Sequence, residues 1–256
     1  MNPYFLMLGL VLIVAGAVSI LLVRLDRDRR TAPYPHWPKY LVWSLVRLYC
    51  RIYHRPKIVG LAESLEKISP NEPVILIANH TGAVDPLIIG TNFRRGISWM
   101  MEKSYNKGPA KIVTWTGGTI YLNRDGKDTE GIRQALRELK DGGVVGIFPE
   151  GGIARPPEKI RPFQSGVGFL IRKSGAVVLP VWISGTPKVN HTLDSLFIPS
   201  RSRCVFGEPI RFSNDLKAQA IADRLREMLR EMSGWSLIED VECCGEVRDE
   251  AAPVSM

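Results

Sequence analysis

The chain lacks the cysteine patterns that bind metals or form disulfide frameworks. Its four cysteines are Cys50, Cys204, Cys243 and Cys244, and none of their spacings matches a metal site. Cys243 and Cys244 are adjacent, which is a poor geometry for a disulfide. The sequence contains no His-Glu-x-x-His and no other metal-ligand set. We therefore predict reduced thiols in a cytosolic compartment, and a protein that needs neither a metal nor another cofactor.

Two further motifs are missing. There is no Gly-x-Ser-x-Gly turn to present a serine nucleophile. Gly126-Lys127-Asp128 is not a phosphate-binding loop, because it has neither the earlier glycine nor a Ser or Thr after the lysine.

Charged residues are absent from the first 23 positions, and residues 4–23 are almost wholly apolar. About twenty helical residues rise roughly 30 Å, which is the thickness of a bilayer's hydrocarbon core. A cleaved signal peptide is the alternative, but no Lys or Arg precedes the apolar run. The residues that follow are basic: Arg24, Arg27, Arg29 and Arg30. Residues 1–30 are therefore predicted to be a single anchor in the inner or cytoplasmic membrane, with the rest of the chain on the cytoplasmic face.

Basic residues outnumber acidic ones over the chain as a whole, but not in the C-terminal tail. The chain has a net charge of +8, but residues 238–256 alone carry −5, so the remainder carries +13. Such a surplus attracts polyanions, and a non-catalytic membrane protein that binds anionic lipid or nucleic acid is one possible interpretation. The apolar N-terminus favours lipid, so we predict no nucleic-acid partner. Residues 236–256 are predicted to be a flexible acidic tail.

Aromatic residues are concentrated in residues 31–58, directly after the anchor. Within this segment, Tyr40–Tyr53 has apolar residues at helical spacing and is rich in Trp and Tyr. These features favour an amphipathic helix at the membrane interface. A helix that packs in the globular core is the alternative.

Residues 59–235 alternate between apolar runs and amphipathic segments. This alternation predicts an α/β domain with a mainly parallel or mixed sheet flanked by helices. The predicted strands are Val74–Ala78, Ile97–Met101, Thr119–Asn123, Val144–Phe148, Val177–Ser184 and Arg203–Phe206. The predicted helices are Thr129–Lys140, Gly166–Lys173 and Asp215–Met232.

Two polar motifs follow predicted strands. His80 and Asp85 come after Val74–Ala78, and their spacing suits a general base and the carboxylate that orients it. Phe148-Pro149-Glu150-Gly151 comes after the apolar run at 144–147. Ligands collect beyond the carboxyl ends of parallel strands, so we expect His80 and Glu150 to face one crevice.

In this order and spacing the two motifs resemble those of the glycerolipid acyltransferases, the family of 1-acylglycerol-3-phosphate acyltransferase. The resemblance runs from about Gly60 to Phe212. It implies that His80, held by Asp85, deprotonates the hydroxyl of a membrane lysophospholipid. The hydroxyl then attacks an acyl thioester, either acyl-CoA or acyl-carrier protein. The acceptor that we favour is 1-acylglycerol-3-phosphate, which gives phosphatidate, because a basic crevice suits a phosphate monoester.

The resemblance also implies which residues bind the acceptor. Arg124, at the end of a block that begins near Gly118, corresponds to an arginine that binds the acceptor's phosphate. Glu150 and Gly151 belong to the acceptor site. Gly118, Pro149 and Pro180 are implied to line the pocket. Backbone amides near Gly82 or Gly151 are candidate donors to the oxyanion.

One departure from the family pattern concerns the acceptor. The family commonly continues Phe-Pro-Glu-Gly with Thr-Arg-Ser, whereas this chain has Gly152-Ile153-Ala154. Ile153 therefore stands where a second phosphate-binding arginine is usual, and Arg155 or Arg161 is a possible substitute. The same chemistry on another acceptor, such as a lyso-aminolipid or a different lysophospholipid, is the alternative.

Overall fold

The computed structural model describes residues 24–34, 36–103, 118–122, 129–153, 158–189 and 192–238. Its strands are β1 (Lys57–Val59), β2 (Val74–Ala78), β3 (Ile97–Glu102), β4 (Gly118–Leu122), β5 (Val144–Ile147), β6 (Lys159–Ile160), β7 (Val177–Ser184), β8 (Arg203–Phe206) and β9 (Ser236–Leu237). Its helices are α1 (Trp37–Tyr49), α2 (Leu61–Glu66), α3 (Asp85–Asn92), α4 (Thr129–Lys140), α5 (Ser165–Ser174) and α6 (Ala218–Ser233). There are also a π-helical turn at Cys50–His54, a 3₁₀ helix at Thr192–Leu196 and a helical segment at residues 24–30.

Seven strands form one mixed sheet in the order β1-β8-β7-β2-β5-β3-β4, and β6 pairs separately with β9. The five strands from β7 to β4 are mutually parallel, whereas β8 runs antiparallel to β7. The predicted α/β fold with a mainly parallel or mixed sheet is therefore confirmed. Because β2 and β5 are parallel neighbours, the segments that follow them emerge at the same edge of the sheet.

The two faces of the sheet bury two separate apolar clusters. In β2 the side chains of Val74, Leu76 and Ala78 join one cluster, while Ile75 and Ile77 join the other. This alternation follows from the two-residue period of a strand. Helices α1 and α3 cover the first face, and α4, α5 and α6 cover the second.

Helix α1 differs from the predicted helix at Tyr40–Tyr53. It begins at Trp37, with Pro38 in its first turn, and changes at Tyr49 into the π-helical turn. That wider turn closes with an N–H bond from Arg55 to the Cys50 carbonyl of 3.0 Å. Apolar periodicity identifies a helical segment but not its hydrogen-bonding pattern, so the sequence did not reveal the π turn.

The predicted transmembrane segment, residues 1–23, lies outside the described residues. Residues 24–30 are helical. Within the part of the chain that the structure describes, no helix is both long and apolar enough to cross a bilayer. Most of the predicted acidic tail also lies outside the described residues, so both assignments stay predictions.

Candidate active site

The segment after β2 is anchored to the neighbouring strand by Asn79. The Asn79 side chain is fully buried and forms a pair of hydrogen bonds with the backbone of Ile183 in β7. Its Nδ2 donates to the Ile183 carbonyl at 2.9 Å, and its Oδ1 accepts from the Ile183 N–H at 2.8 Å. A buried amide that is satisfied on both sides fixes the backbone from which the next residue, His80, projects.

Asp85, the first residue of α3, is fully buried and accepts four hydrogen bonds. Its Oδ2 accepts from the backbone N–H groups of Thr81 (2.6 Å) and Gly82 (2.8 Å) and from His80 Nδ1 (2.9 Å). Its Oδ1 accepts from the Thr81 hydroxyl at 2.9 Å. Hydrogen-bond donors therefore contact both oxygens of Asp85, which lies in the first turn of α3.

The carboxylate fixes the tautomer of His80. Because an ionised carboxylate only accepts hydrogen bonds, His80 Nδ1 must carry the proton that it shares with Asp85. In the neutral imidazole, Nε2 then has a free lone pair, and no described residue bonds to it. The His80 side chain is 18% exposed, so this nitrogen can meet a substrate. The arrangement is that of a general base and its orienting carboxylate.

An aromatic stack supports the imidazole from one side. The His80 ring lies on Phe148, with ring centroids 4.1 Å apart. Phe148 in turn stacks on Trp99 of β3 at 4.8 Å. The second motif therefore contributes an apolar surface that fixes the plane of the base.

Glu150 lies behind the base and connects the two loops. Its carboxylate is 4% exposed and accepts backbone N–H bonds from His80 (3.3 Å) and Arg161 (3.2 Å). Burial raises the pKa of the Glu150 carboxyl to about 7, although the N–H bonds favour its charged form. The sequence grouped Glu150 with the acceptor-binding residues. The observed contacts give it a positioning role, and direct contact with an acceptor stays a prediction.

Gly151 and Gly152 leave room for neighbouring side chains. Gly151 has φ 69°, and a Cβ there would lie 2.3 Å from Gln164 Nε2. A Cβ on Gly152 would lie 3.4 Å from a guanidinium nitrogen of Arg161. The Arg161 side chain therefore lies directly beside the loop in which Ile153 occupies the expected arginine position. No described carboxylate forms an ion pair with it.

The remaining predicted site residues are more scattered. Pro149 is buried, and its carbonyl accepts the Gln164 N–H at 3.1 Å. Gly118 lies at the amino end of β4, away from the edge that carries His80, where a Cβ would lie 2.3 Å from Ser98 Oγ. Pro180 lies within β7, and its ring would touch a Cβ at Gly207. Gly118 and Pro180 thus make contacts between neighbouring strands, and their role in lining the pocket stays a prediction. Arg124 and Arg155 lie outside the described residues.

Sequence reasoning missed Thr186, which lies two residues beyond β7. Its hydroxyl is 2.5 Å from the Thr81 hydroxyl. Since Thr81 uses its only hydroxyl proton on Asp85, Thr186 must be the donor between the two threonines. Thr186 thus begins a chain of hydroxyl bonds that ends on the carboxylate. Its place just after the carboxyl end of a strand was the available signal.

The geometry defines a class of α/β enzyme, in which a histidine base held by a buried aspartate lies at the carboxyl edge of a mainly parallel sheet. Comparison with known proteins identifies the family. Residues 61–184, just under half of the chain, match the family model described as Acyltransferase, so the chain contains an acyltransferase domain. The resemblance predicted from the two motifs is therefore confirmed.

Individual relatives agree with this identification. A Borreliella burgdorferi protein named 1-acyl-sn-glycerol-3-phosphate acyltransferase is 31% identical over 124 residues, which are 47% of this chain and 49% of that protein. The chain thus spans about half the length of this relative. An Arabidopsis thaliana protein named N-acylphosphatidylethanolamine synthase is 27% identical over 206 residues, covering 72% of this chain and 71% of the relative.

A solved structure shares the fold. The 1-acyl-sn-glycerophosphate acyltransferase PlsC from Thermotoga maritima superposes with a TM-score of 0.58 at 20% identity, covering 90% of this chain and 97% of that one. At this identity the likeness supports the α/β architecture rather than a particular substrate.

Proposed function

We propose that this chain transfers an acyl group from a thioester, carried by coenzyme A or acyl-carrier protein, to the free hydroxyl of a lysophospholipid. The observation that carries the proposal is the orientation of His80. Asp85 holds Nδ1 in its protonated form, so Nε2 is free to accept a proton at the edge of the sheet. The family to which residues 61–184 belong supports acyl transfer as the reaction.

The reaction proceeds without a covalent enzyme intermediate. His80 Nε2 accepts the proton of the acceptor's hydroxyl as that oxygen attacks the thioester carbonyl. Asp85 stabilises the imidazolium that forms. When the tetrahedral intermediate collapses, the carbon–sulfur bond breaks, and the leaving thiolate takes the proton back from His80. The products are the acylated lipid and the free thiol of the carrier.

1-Acylglycerol-3-phosphate is the proposed acceptor. Its phosphate monoester needs cationic groups, and Arg161 lies beside Gly152 with no ion-pair partner among the described residues. A guanidinium donates parallel hydrogen bonds that match a phosphate. Arg161 therefore compensates in space for the arginine that Ile153 replaces in sequence. Arg124 and Arg155 stay predicted contributors.

A different acceptor is the second candidate, and a specific observation favours it. The chain lacks the usual arginine at position 153. It also matches a relative named N-acylphosphatidylethanolamine synthase over 72% of its length. A lyso-aminolipid, or a lysophospholipid without a free phosphate monoester, is therefore the alternative substrate class.

The proposed site of action is the membrane surface. Helix α1 and the π turn bury Val46 and Cys50 in the core of the domain, while Tyr40 and Trp43 are buried against Ala32 and Tyr34. The opposite side exposes a stripe of apolar residues, namely Trp37, Leu41, Leu45, Leu48 and Ile52. Both interpretations of this segment thus have support, because one face packs in the core and the other suits lipid. The predicted anchor at residues 1–23 would hold this stripe near the bilayer.

A panel of lysolipids tests the proposal. The purified full chain is incubated with each lysolipid and either acyl-CoA or acyl-carrier protein, and products are identified by mass. We expect phosphatidate from 1-acylglycerol-3-phosphate as the fastest product. Faster acylation of a lyso-aminolipid would replace the proposed acceptor, and no acylated lipid from any pair would refute the function.

A further inference from the structure

A second apolar surface follows the 3₁₀ helix at Thr192–Leu196. Two large side chains at its end are solvent-exposed, Phe197 at 67% and Ile198 at 44%. The preceding residue, Leu196, is 8% exposed and packs in the cluster beneath α1. Phe197 and Ile198 thus form an exposed apolar tip on a segment whose base is buried.

Hydrogen bonds join this tip to the end of the exposed stripe on α1. The Tyr53 hydroxyl donates to the Phe197 carbonyl at 2.6 Å, and the Tyr49 hydroxyl donates to the Leu196 carbonyl. The Ser200 N–H donates to the Tyr53 carbonyl at 3.0 Å. The tip therefore lies beside the π-helical turn that follows α1.

A buried histidine connects the π-helical turn to the segment that follows the tip. His54 is fully buried, and its ring nitrogens lie 2.8 Å from the Tyr49 hydroxyl and 2.8 Å from Ser200 Oγ. Its carbonyl accepts bonds from both the N–H and the hydroxyl of Ser202. Because the tip is fixed on both sides, little conformational entropy is lost when a partner contacts it.

The chain on both sides of the tip is basic. Residues 51–57 and 192–203 carry five exposed cations against one exposed acid, Asp194. The cations are Arg51, Arg55, Lys57, Arg201 and Arg203. None of the five forms an ion pair with a described residue. An apolar tip with unpaired cations around it complements a bilayer that contains anionic phospholipid.

The same segment reaches the catalytic turn. A Cβ at Gly82 would lie 2.9 Å from both Cβ and Oγ of Ser195, so the Ser195 side chain lies directly against the backbone of Gly82. Gly82 in turn donates its N–H to Asp85. A bilayer that contacts the tip is therefore close to the turn that carries the catalytic pair.

We propose that Phe197 and Ile198 insert into the interface of an anionic bilayer. They form a membrane contact separate from the stripe on α1 and place the His80 crevice at the lipid surface. Insertion itself does not depend on the proposed acyl transfer, but its kinetic consequence rests on that function. The two are therefore measured separately.

Lipid-borne quenchers test the insertion directly. Cys243 and Cys244 are replaced by serine, since Cys50 and Cys204 are buried. The substitution Phe197→Cys is made in the full chain, and a fluorophore is attached to the new thiol. The labelled protein is reconstituted in vesicles of phosphatidylcholine and phosphatidylglycerol. The control is Phe169→Cys, because Phe169 is also exposed, at 38%, but lies on α5 across the sheet. We expect spin-labelled lipid to quench the probe at position 197 and not at position 169.

Absence of quenching at position 197 overturns the proposal. A probe that lipid does not quench, but whose emission shifts with protein concentration, would show that a second copy of the chain covers the tip. Equal quenching at positions 197 and 169 would show only general adsorption and would also refute a specific contact. None of these outcomes requires the enzyme to turn over.

A kinetic experiment then measures whether insertion of the tip affects acyl transfer to a lysolipid in the membrane. The double variant Phe197→Ser, Ile198→Ser is compared with Phe169→Ser. We expect the KM for a lysolipid embedded in vesicles to rise about tenfold in the double variant, because two apolar contacts are lost. Turnover of a water-soluble short-chain lysolipid should match that of Phe169→Ser. An unchanged KM in vesicles would refute the link to catalysis, whereas wild type that acylates no lysolipid would refute the proposed function alone.

Discussion

The two loops at the carboxyl edge of the sheet are built in opposite ways. The loop after β2 is stabilised by hydrogen bonds among its own residues, because Asp85 is fully buried and accepts four hydrogen bonds from residues 80–82. The loop after β5 depends on one buried carboxyl, that of Glu150. Burial raises the pKa of this carboxyl to about 7. It also departs from the family pattern at Ile153. In the proposed function, the first loop carries proton transfer and the second contributes to acceptor recognition, and this division can be tested.

Replacing Asp85 by Asn should give the largest effect. An amide cannot accept a bond from every donor that now surrounds the carboxylate, and it no longer selects the Nδ1–H tautomer of His80. We expect kcat to fall about 10²–10⁴-fold, the range of general-base catalysis. Steady-state kinetics measures the loss, circular dichroism verifies folding, and Asp194→Asn serves as a control because Asp194 is exposed. A folded variant within threefold of wild type would remove Asp85 from the first loop's chemistry.

Replacing Glu150 by Gln should alter how stability depends on pH. The folded carboxyl has a pKa of about 7, above its ordinary value of 4.5, so the folded state binds the proton more tightly than the unfolded state. The free energy of unfolding should therefore fall as pH rises from about 4.5 to 7, by about 3 kcal/mol from this group. Urea denaturation at several pH values measures the slope. Glutamine does not titrate, so the variant should lose this slope, and an identical slope would contradict the assignment.

Replacing Arg161 by Ala should change recognition without changing the base. Loss of a charge-assisted contact of roughly 1.5–3 kcal/mol raises the KM for 1-acylglycerol-3-phosphate about ten- to hundredfold. The KM for the thioester should stay the same. The backbone N–H that Arg161 gives to Glu150 is kept in the variant, so the loop is preserved. Arg161→Lys should recover part of the loss, and equal changes in both KM values would contradict a phosphate contact.

Replacing Thr186 by Val should give the smallest effect. The variant removes the donor that polarises Thr81 towards Asp85, while keeping the shape of the side chain. We expect kcat to fall about tenfold, as when a buried hydrogen bond of about 1.4 kcal/mol is lost, with both KM values unchanged. Thr186→Ser keeps the hydroxyl and should retain wild-type kcat. If serine and valine behave alike, the hydroxyl chain has no role in orienting the carboxylate.

The sequence predicted β2 and β7 well because nearly all of their residues are buried. The bounds of β2, β7 and β8 agree with the predicted runs, and α4 agrees at both ends. The order of the strands was beyond reach, since it depends on pairings between distant residues such as Leu76 and Leu179. Short elements were missed for the same reason. The β1 strand of three residues is held by its partner β8 rather than by its own apolar pattern.

In the candidate site, too, local contacts were predictable from the sequence and contacts between distant residues were not. The spacing of His80 and Asp85 was informative because one turn of chain brings them together. Thr186 is 105 positions from Thr81 and contacts it only through the pairing of β2 with β7. The position of the Arg161 guanidinium beside Gly152 likewise depends on how the chain returns after residue 158. Local contacts can be read from spacing, whereas contacts between loops require the folded sheet.

Substitution of His80 by Ala tests the central claim most directly. Wild type and His80→Ala, reconstituted in the same vesicles, are given 1-acylglycerol-3-phosphate and an acyl thioester, and the acylated lipid is quantified by mass in a single turnover. Loss of the base should lower the rate about 10²–10⁴-fold while the protein stays folded. A folded His80→Ala that forms product at more than about a tenth of the wild-type rate would contradict general-base catalysis by the His80–Asp85 pair.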